Sequence, residues 1–390
     1  MSSLRILIGA ETYPPTVNGA ANFAERLAVG LAGRGHEVHV VAPSHAGRPA
    51  VEVRDGVTVH GVKSVRYPFH PDFPISMPWR ALPATRRLVE ALRPDVIHTQ
   101  AHMVVGRGVV KAGKRAGLPV VATNHFMPEN LTAHVPLSKY VLGPASKLAW
   151  RDLGRVFGKA DAVTAPTPRA VELLVRGAGL TDAFPVSCGI DADRYAVPAP
   201  PHDVPSVLFV GRLDQEKRVD DLIRAFAALP AGLPAHLDIV GDGAKRGEWT
   251  ALAAGLGIAG RVTFHGFVSE EELITRYATA DVFCMPSIAE LQSLATLEAM
   301  AASTPVVLAD AMALPHLVRP GRNGWLFPPG DVAELSRRLA TLLADAALRA
   351  RMGAVSRELV AEHAFDATLD RFEGIYRQLI SGEQPQARAA

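Results

Sequence analysis

Short, almost uninterrupted apolar runs alternate along the chain with longer segments in which apolar positions recur at helical spacing. The runs are LRILIG, HEVHVVAP, DVIHT, PVVATN and DAVTAPT in the first half, then SVLFVGR, HLDIVGDG, RVTFHGF, DVFCMPS and PVVLAD in the second. A strand with apolar side chains on both faces is buried on both, and helices flanking a parallel sheet provide that burial. The pattern predicts a parallel α/β arrangement, repeated twice. Between the two series, YAVPAPPHDVPS at 195–206 carries prolines that forbid a regular helix, which predicts a linker. The predicted domains are 1–197 and 206–370, each a Rossmann-like parallel sheet, with a final helix at about 371–390 packing back on the first. Ligands of open parallel sheets bind beyond the carboxyl ends of strands, so two such sheets are expected to face one another across a binding cleft.

Composition changes this picture little. A chain of 390 residues exceeds what one hydrophobic core usually serves, and 48% hydrophobic with 21% charged residues excludes general disorder outside the tail SGEQPQARAA. The formal net charge of +2 gives no sign of a nucleic-acid partner. Cys188 and Cys284 each lie at or near an apolar strand, so buried thiols in a reducing compartment are expected rather than a disulfide. The N-terminus is apolar only over residues 4–10, too short for a signal peptide core, and no apolar run reaches the length of a membrane span. The expectation is a cytoplasmic protein.

Candidate chemistry gathers after the predicted strands. The first strand runs into ETYPPTVNGAA, where Pro14 and Pro15 extend the loop, Asn18-Gly19 turns it and a helix starts near Ala20. Free amides beside Gly19 could take a phosphate; an ordinary strand-to-helix turn is the competing reading. The G-x-G-x-x-G dinucleotide fingerprint is absent, which counts against an NAD enzyme. In VGRLDQEKRVDDL, Arg212 and Lys217 follow a strand directly and a helix begins near Val219. Two cations and a helix N-terminus suit a diphosphate, although Asp214 and Glu216 could instead neutralise them in a solvated loop.

The stretch AELQSLATLEAMA sets Glu290 and Glu298 in an almost chargeless surrounding. Ser293 suits the N-cap of a helix from Leu294, which puts Glu298 on its second turn among residues that cover every face with apolar side chains. A buried carboxylate needs partners, and the paired hydroxyls of a sugar or ribose would serve as donors, as would a structural salt bridge. No Asp, His or Cys completes a metal set around either glutamate, so none is predicted. His125 lies just past a strand end and could donate to a phosphate or hydroxyl, poise a proton, or be structural. His98 and His102 occupy comparable positions and are not separated from it by sequence. Over 146–161, Lys147, Arg151, Arg155 and Lys159 form a basic stripe opposite Trp150, Leu153, Val156 and Phe157, and Phe69, Phe73, Met77 and Trp79 form an apolar segment upstream. Contact with an anionic lipid surface is one reading and a core-packed helix with a solvated face is the other.

The order and spacing of PPTVNGAA, RGHEVHVV, DVIHTQ, TNHF, VSCGID, VGRLDQEK, HGFV and the E-x7-E pair of Glu290 and Glu298 resemble family 4 retaining glycosyltransferases with the GT-B fold, over nearly the whole chain. The resemblance implies transfer of a hexose from a nucleotide sugar, of UDP-glucose or GDP-mannose type, to an acceptor hydroxyl with retention and without a metal or other cofactor. Arg212 and Lys217 would bind the donor diphosphate, Gly19 would let a loop approach it and Glu298 would hold the ribose. Glu290, His125 and the amides near Ser293 and Leu294 would address the transferred sugar, and the backbone of Gly266, Phe267 and Val268 would pair with the base. Ala20 stands where the family often has a second glycine, and LQSL where it often has Gly-Phe-Gly; backbone amides survive both changes. The QSL variant is similar to bacterial enzymes that glycosylate diacylglycerol or phosphatidylinositol, which implies a lipid acceptor and peripheral attachment at the inner membrane face. A soluble acceptor, or a nucleotide-sugar epimerase or hydrolase on the same fold, is the alternative.

Overall fold

The computed structural model describes residues 2–16, 18–67, 70–127 and 139–385, without the side chains of 67, 70–73 and 139–142. The apolar residues Phe69 and Phe73 therefore lie outside the description. The chain divides into two compact units, Met1–Ser187 with Ala367–Ala390, and Cys188–Asp366. The division falls ahead of the proline-rich stretch for a local reason. The Ile190 amide donates to the His363 carbonyl at 2.7 Å and the Phe365 amide to the Ile190 carbonyl at 3.0 Å, which ties residues just past Cys188 to the second unit.

In unit 1, β1 (Arg5–Gly9), β2 (Glu37–Pro43), β4 (Val57–Val62), β7 (Val96–Thr99), β8 (Val120–Thr123), β9 (Ala162–Ala165) and β10 (Phe184–Pro185) run parallel, with β3 (Ala50–Arg54) antiparallel at one edge. The order is β10-β9-β8-β7-β1-β2-β4-β3, and β5 (Ser64–Tyr67) and β6 (His70–Ser76) form a separate hairpin. The helices used below are α1 (Gly19–Gly33), α2 (Pro78–Leu92), α3 (Val104–Arg115) and α4 (Lys139–Phe157). Asn18 starts α1 by accepting the Ala21 amide at 2.8 Å, and Phe23, Ala24, Leu27, Ala28 and Leu31 form its buried face.

Unit 2 is a six-stranded parallel sheet in the order β13-β12-β11-β14-β15-β16. Its strands are β11 (Ser206–Val210), β12 (His236–Val240), β13 (Val262–Gly266), β14 (Val282–Met285), β15 (Val306–Ala309) and β16 (Gly324–Phe327). Three helices matter here: α5 (Val219–Ala227), α6 (Glu270–Thr279) and α7 (Leu294–Ala301). The last helix, α8 (Phe365–Ile380), buries Leu369, Phe372, Ile375 and Tyr376 in unit 1. Both cysteines are buried and free.

Each sheet reverses its winding at its first strand. In unit 1 the chain proceeds from β1 to β2 on one side and returns to β7 on the other; in unit 2, β11 has β12 on one side and β14 on the other. Loops leaving the carboxyl ends of β1 and β7, and of β11 and β14, diverge and leave a crevice at each such point. On the other side of β11, Gly241 has φ +122°, and a Cβ there would lie 2.0 Å from the Gly211 carbonyl oxygen, so only glycine lets the loop after β12 meet the loop after β11.

Candidate active site

The unit 2 crevice draws its side chains from the loops after β11 and β14. Gly211 to Asp214 leave β11, a single 3-10 turn spans Gln215–Lys217, and α5 follows at Val219. On the other side, β14 ends at Met285, and Glu290 sits in the loop before α7. The two loops are stitched together by the Ile288 amide donating to the Glu216 carbonyl at 3.0 Å. Across that seam the Lys217 ammonium donates to Glu290 Oε1, with both side chains mostly withdrawn from solvent. Glu290 is fixed further by its carbonyl, which accepts the Ala313 amide at 3.1 Å. Residues 73 apart in sequence are thus brought into direct contact.

Arg212 stands beside this pair, its guanidinium on Asp214 at 2.7 Å and Glu216 at 3.2 Å. The neutralisation weighed for this loop is therefore present for Arg212, while Lys217 turns instead to Glu290. Arg212 keeps 40% of its side chain exposed, and a guanidinium carries five N–H donors, so it has capacity left for an incoming anion. Asp214, Glu216 and Glu290 outnumber the two cations of the crevice, and Glu216 Oε2 is buried without a hydrogen-bond partner. An anion that enters must displace carboxylate contacts with Arg212 and Lys217.

Glu298 behaves differently from Glu290. Ser293 caps α7 by accepting the Thr296 amide, which starts the helix where the sequence places it and sets Glu298 on the second turn. Its Oε2 accepts from the Tyr277 hydroxyl of α6 at 2.7 Å. Burial and the adjacent carboxylate raise the Tyr277 pKa well above the phenol's usual value, so Tyr277 stays a neutral donor. Glu298 is half-buried and held by a hydroxyl. At the end of β13, the Gly266 carbonyl is already taken by the Gly241 amide at 2.8 Å, Phe267 is 70% exposed, and Val268 packs partly against the core.

The unit 1 crevice is filled by neutral rings. His125, just past β8, places Nε2 on Gln100 Oε1 at 2.8 Å and its ring 4.8 Å from Phe23. Gln100 Nε2 reaches His98 Nε2 at 3.2 Å, His98 Nδ1 meets the Tyr376 hydroxyl at 2.6 Å, and His98 Nε2 also meets Thr123 Oγ1 at 2.6 Å. Desolvation holds His125 and His102 down to about 4 and His98 down to about 3, so all three are neutral near pH 7. With Nε2–H donating to Gln100, Nδ1 of His125 remains as an acceptor, suited to a hydroxyl rather than to a phosphate. The structure also ranks the three histidines: His98 is sealed in the network, His102 packs against Phe126 and Phe157, and His125 alone is only partly buried.

Gly19 opens α1 directly, one residue before the predicted start. A Cβ built there meets nothing within 4 Å, so no packing inside the unit requires glycine at this position. Sequence reasoning missed Glu11. Its Oε1 accepts the Val105 and Gly106 amides at 2.6 and 3.0 Å, capping α3 from the loop after β1. Desolvation nonetheless raises its carboxyl to about 7, against the lowering by those two amides and Arg107. A carboxylate two residues past a buried strand is the one feature the sequence shows, and it does not identify the amides that Glu11 meets.

Lys147, Arg151 and Arg155 form an exposed stripe on α4, with Trp150, Leu153, Val156 and Phe157 buried on the other side. Lys159 departs from the prediction: α4 ends at Phe157, and Lys159 lies in the turn that follows. The Asp161 amide donates to the Val120 carbonyl at 2.8 Å, drawing the chain into β9 and ending the helix before that residue. Upstream, Trp79 is 69% exposed at the start of α2 and Met77 is half-buried. Among the described residues no helix is long and apolar enough to cross a membrane, and no group of three or more His, Cys, Asp or Glu is arranged to hold a metal ion.

Two family descriptions match the chain in succession, "Glycosyltransferase Family 4" over residues 17–194 and "Glycosyl transferases group 1" over residues 194–359. A GDP-mannose-dependent alpha-mannosyltransferase of Mycobacterium tuberculosis is 31% identical, with 99% of this chain and 100% of that protein covered. A D-inositol 3-phosphate glycosyltransferase of Xylanimonas cellulosilytica is also 31% identical, over 90% of this chain and 89% of its own length. Among solved structures, sucrose-phosphate synthase from Thermosynechococcus elongatus superposes with a TM-score of 0.82 at 23% identity, covering 97% of this chain and 100% of that one. At that identity the likeness speaks to the fold.

Proposed function

The chain belongs to the family 4 glycosyltransferases, GT-B enzymes that use nucleotide-sugar donors, and from that premise we propose that it transfers mannose from GDP-mannose to an acceptor hydroxyl with retention. The observation that carries the site assignment is the contact of Lys217 with Glu290 across the β11 and β14 loops, at the crevice where the unit 2 sheet reverses. The donor diphosphate takes Arg212 and Lys217 from their carboxylates. Release of Glu290 from Lys217 frees that carboxylate to accept a hydroxyl of the sugar, while Glu298, braced by Tyr277, grips the ribose. The base lies along Gly266, Phe267 and Val268. Since the Gly266 carbonyl is engaged, the remaining backbone and the exposed Phe267 ring supply those contacts.

Charge grows on the leaving diphosphate in the transition state, and groups already aimed at it stabilise the transition state more than the bound donor. The Arg212 guanidinium, the Lys217 ammonium and the first-turn amides of α7 supply that stabilisation, and no cofactor forms part of the proposal. In unit 1, Gly19 and His125 are assigned to substrate: an unobstructed α-carbon for close approach, and a neutral Nδ1 to accept from an alcohol. The relatives' names support GDP-mannose over UDP-glucose and an acceptor of polyol type. The exposed basic stripe of α4 supports peripheral contact with an anionic membrane, which vesicle flotation would test.

A donor panel tests the reading. GDP-mannose should raise the melting temperature by mass action, worth about 2.7 kcal/mol at a hundredfold excess over Kd. Free or rearranged sugar formed from donor alone would point to hydrolysis or epimerisation, and no shift with any nucleotide sugar would remove the proposal.

A further inference from the structure

Helices α2 and α3 approach closely where a Cβ on Gly108 would sit 2.5 Å from Thr85 Oγ1. Beside that contact a groove of about 160 Å³ opens between them. It is lined by Leu82, Pro83 and Arg86 of α2 and by Gly108, Lys111, Ala112 and Arg115 of α3; Ala112 is buried, Leu82 half-buried, and Pro83 and the three cations are exposed. No carboxylate lines it.

The charge here is concentrated rather than average. The chain has 41 Lys and Arg against 39 Asp and Glu, whereas α2 and α3 together hold seven Lys and Arg and a single Glu. Where α3 faces other elements its cations are matched: Arg107 pairs with Asp152 and Lys114 with Asp161. At the groove they are not. Lys111 and Arg115 have no ion pair among the described residues, and the nearest carboxylate to Arg86 is Glu90 at 3.7 Å, with both side chains more than half exposed. Like charges one helical turn apart cost about 0.2–0.5 kcal/mol, and a third cation facing them from α2 adds to the repulsion. An arrangement that opposes folding, set beside Leu82, Pro83 and Ala112, suits a ligand that is anionic at one end.

We propose that the α2–α3 groove of unit 1 binds a phosphate ester, its phosphate oxygens between Arg86, Lys111 and Arg115 and the apolar part of its alcohol against Leu82, Pro83 and Ala112. A guanidinium presents two parallel N–H groups to two phosphate oxygens, and Arg86 and Arg115 supply that fork from two helices while Lys111 adds a point charge. The site does not rest on the nucleotide-sugar reading, since none of its residues lies at either crevice.

The full-length protein, with GDP at saturating concentration to occupy the donor crevice, is titrated with glycerol 3-phosphate and, separately, with phosphatidylcholine vesicles containing or lacking phosphatidic acid. Binding of the soluble ester identifies a free phosphate ligand; binding only to vesicles with phosphatidic acid identifies a lipid headgroup. In either arm Lys111→Gln with Arg115→Gln should weaken binding by about tenfold or more, and Arg80→Gln with Arg87→Gln, the same loss of charge outside the groove, should change it by less than about twofold. Equal losses in the two double variants would reduce the site to diffuse basic attraction and overturn the proposal. So would a wild-type protein that binds neither probe.

Discussion

The two crevices occupy equivalent positions in two parallel sheets and are built from opposite chemistry. In unit 2 the loops after β11 and β14 carry formal charges that satisfy one another, Lys217 on Glu290 and Arg212 on Asp214 and Glu216. In unit 1 the strand ends carry neutral groups, with His98, Gln100, Thr123, His125 and Tyr376 linked in one hydrogen-bonded network. The Arg212 guanidinium is 40% exposed and can turn to an anion at modest cost, whereas the Lys217–Glu290 pair is mostly withdrawn from solvent, so an incoming anion must replace the carboxylate there charge for charge. A buried neutral network is fixed, since each broken link leaves a desolvated polar atom. On the proposed reading, unit 2 captures the anion and unit 1 addresses a hydroxyl.

The comparison can be broken at either end, and the largest effect is expected in unit 2. Glu290→Gln should lower turnover by about 100- to 1000-fold, because the group addressing the sugar is lost. GDP should bind the variant at least as tightly as wild type, because Lys217 is released. A parallel loss of GDP affinity would mean that Glu290 merely holds the loops together.

Acid should weaken unit 1 more than unit 2. His98, His102 and His125 have folded pKa values of about 3, 4 and 4, below the unfolded value, so their stability is complete above about pH 6.5 and is lost as the unfolded chain takes up protons below it. Glu11 has the opposite sign: its folded value near 7 favours the fold at low pH and loses that advantage between about 4.5 and 7. His60, also held to about 4, makes four such histidines less one glutamate in unit 1, a loss of about 3 kcal/mol per pH unit as pH falls from 6.5 to 5, while in unit 2 His363 at about 4 and the lowered His316 give a smaller loss. Hydrogen exchange resolved by segment should show unit 1 amides losing protection first, and loss beginning in unit 2 would contradict it.

Tyr277→Phe is a smaller perturbation. It leaves Glu298 without the hydroxyl that orients it, and donor KM should rise about tenfold while kcat changes little. A fall confined to kcat would move Glu298 from ribose binding to the chemical step. Smallest is Glu11→Gln, which keeps an acceptor for the Val105 and Gly106 amides but cannot ionise. Turnover should hardly change, while stability should gain on wild type by about 2.5 kcal/mol between pH 5 and 8, read from denaturant melts. An unchanged difference across that range would show Glu11 ionised throughout.

Strand and helix alternation was legible because buried parallel strands leave unbroken apolar runs, and the ten runs read from the pattern correspond to β1, β2, β7, β8, β9, β11, β12, β13, β14 and β15. The edge strand β3 was not, since AVEVR is exposed along its whole length and carries no continuous run. Ser293 and Val219 were readable as helix starts from capping and periodicity. Partner choice was not readable: Lys217 could pair with Asp214, Glu216 or Glu290 on charge alone, and only the β11–β14 adjacency selects the last. His98 lies within β7 near its end and His125 just past β8; what separates them further is the last helix, whose Tyr376 seals the first and leaves the second partly open. Glu11 was invisible because its partners are backbone amides 94 and 95 residues away, which no side-chain pattern reports.

The central claim is that Arg212 and Lys217 hold a nucleoside diphosphate at the unit 2 crevice. Calorimetric titration of GDP into wild type and into Arg212→Ala with Lys217→Ala tests it most directly. The account predicts about a 100-fold or greater weakening in the double variant, in a protein that stays folded but melts lower without ligand, because Asp214, Glu216 and Glu290 lose their cations. Wild-type affinity in the double variant, or unfolding without any specific loss of binding, would contradict it.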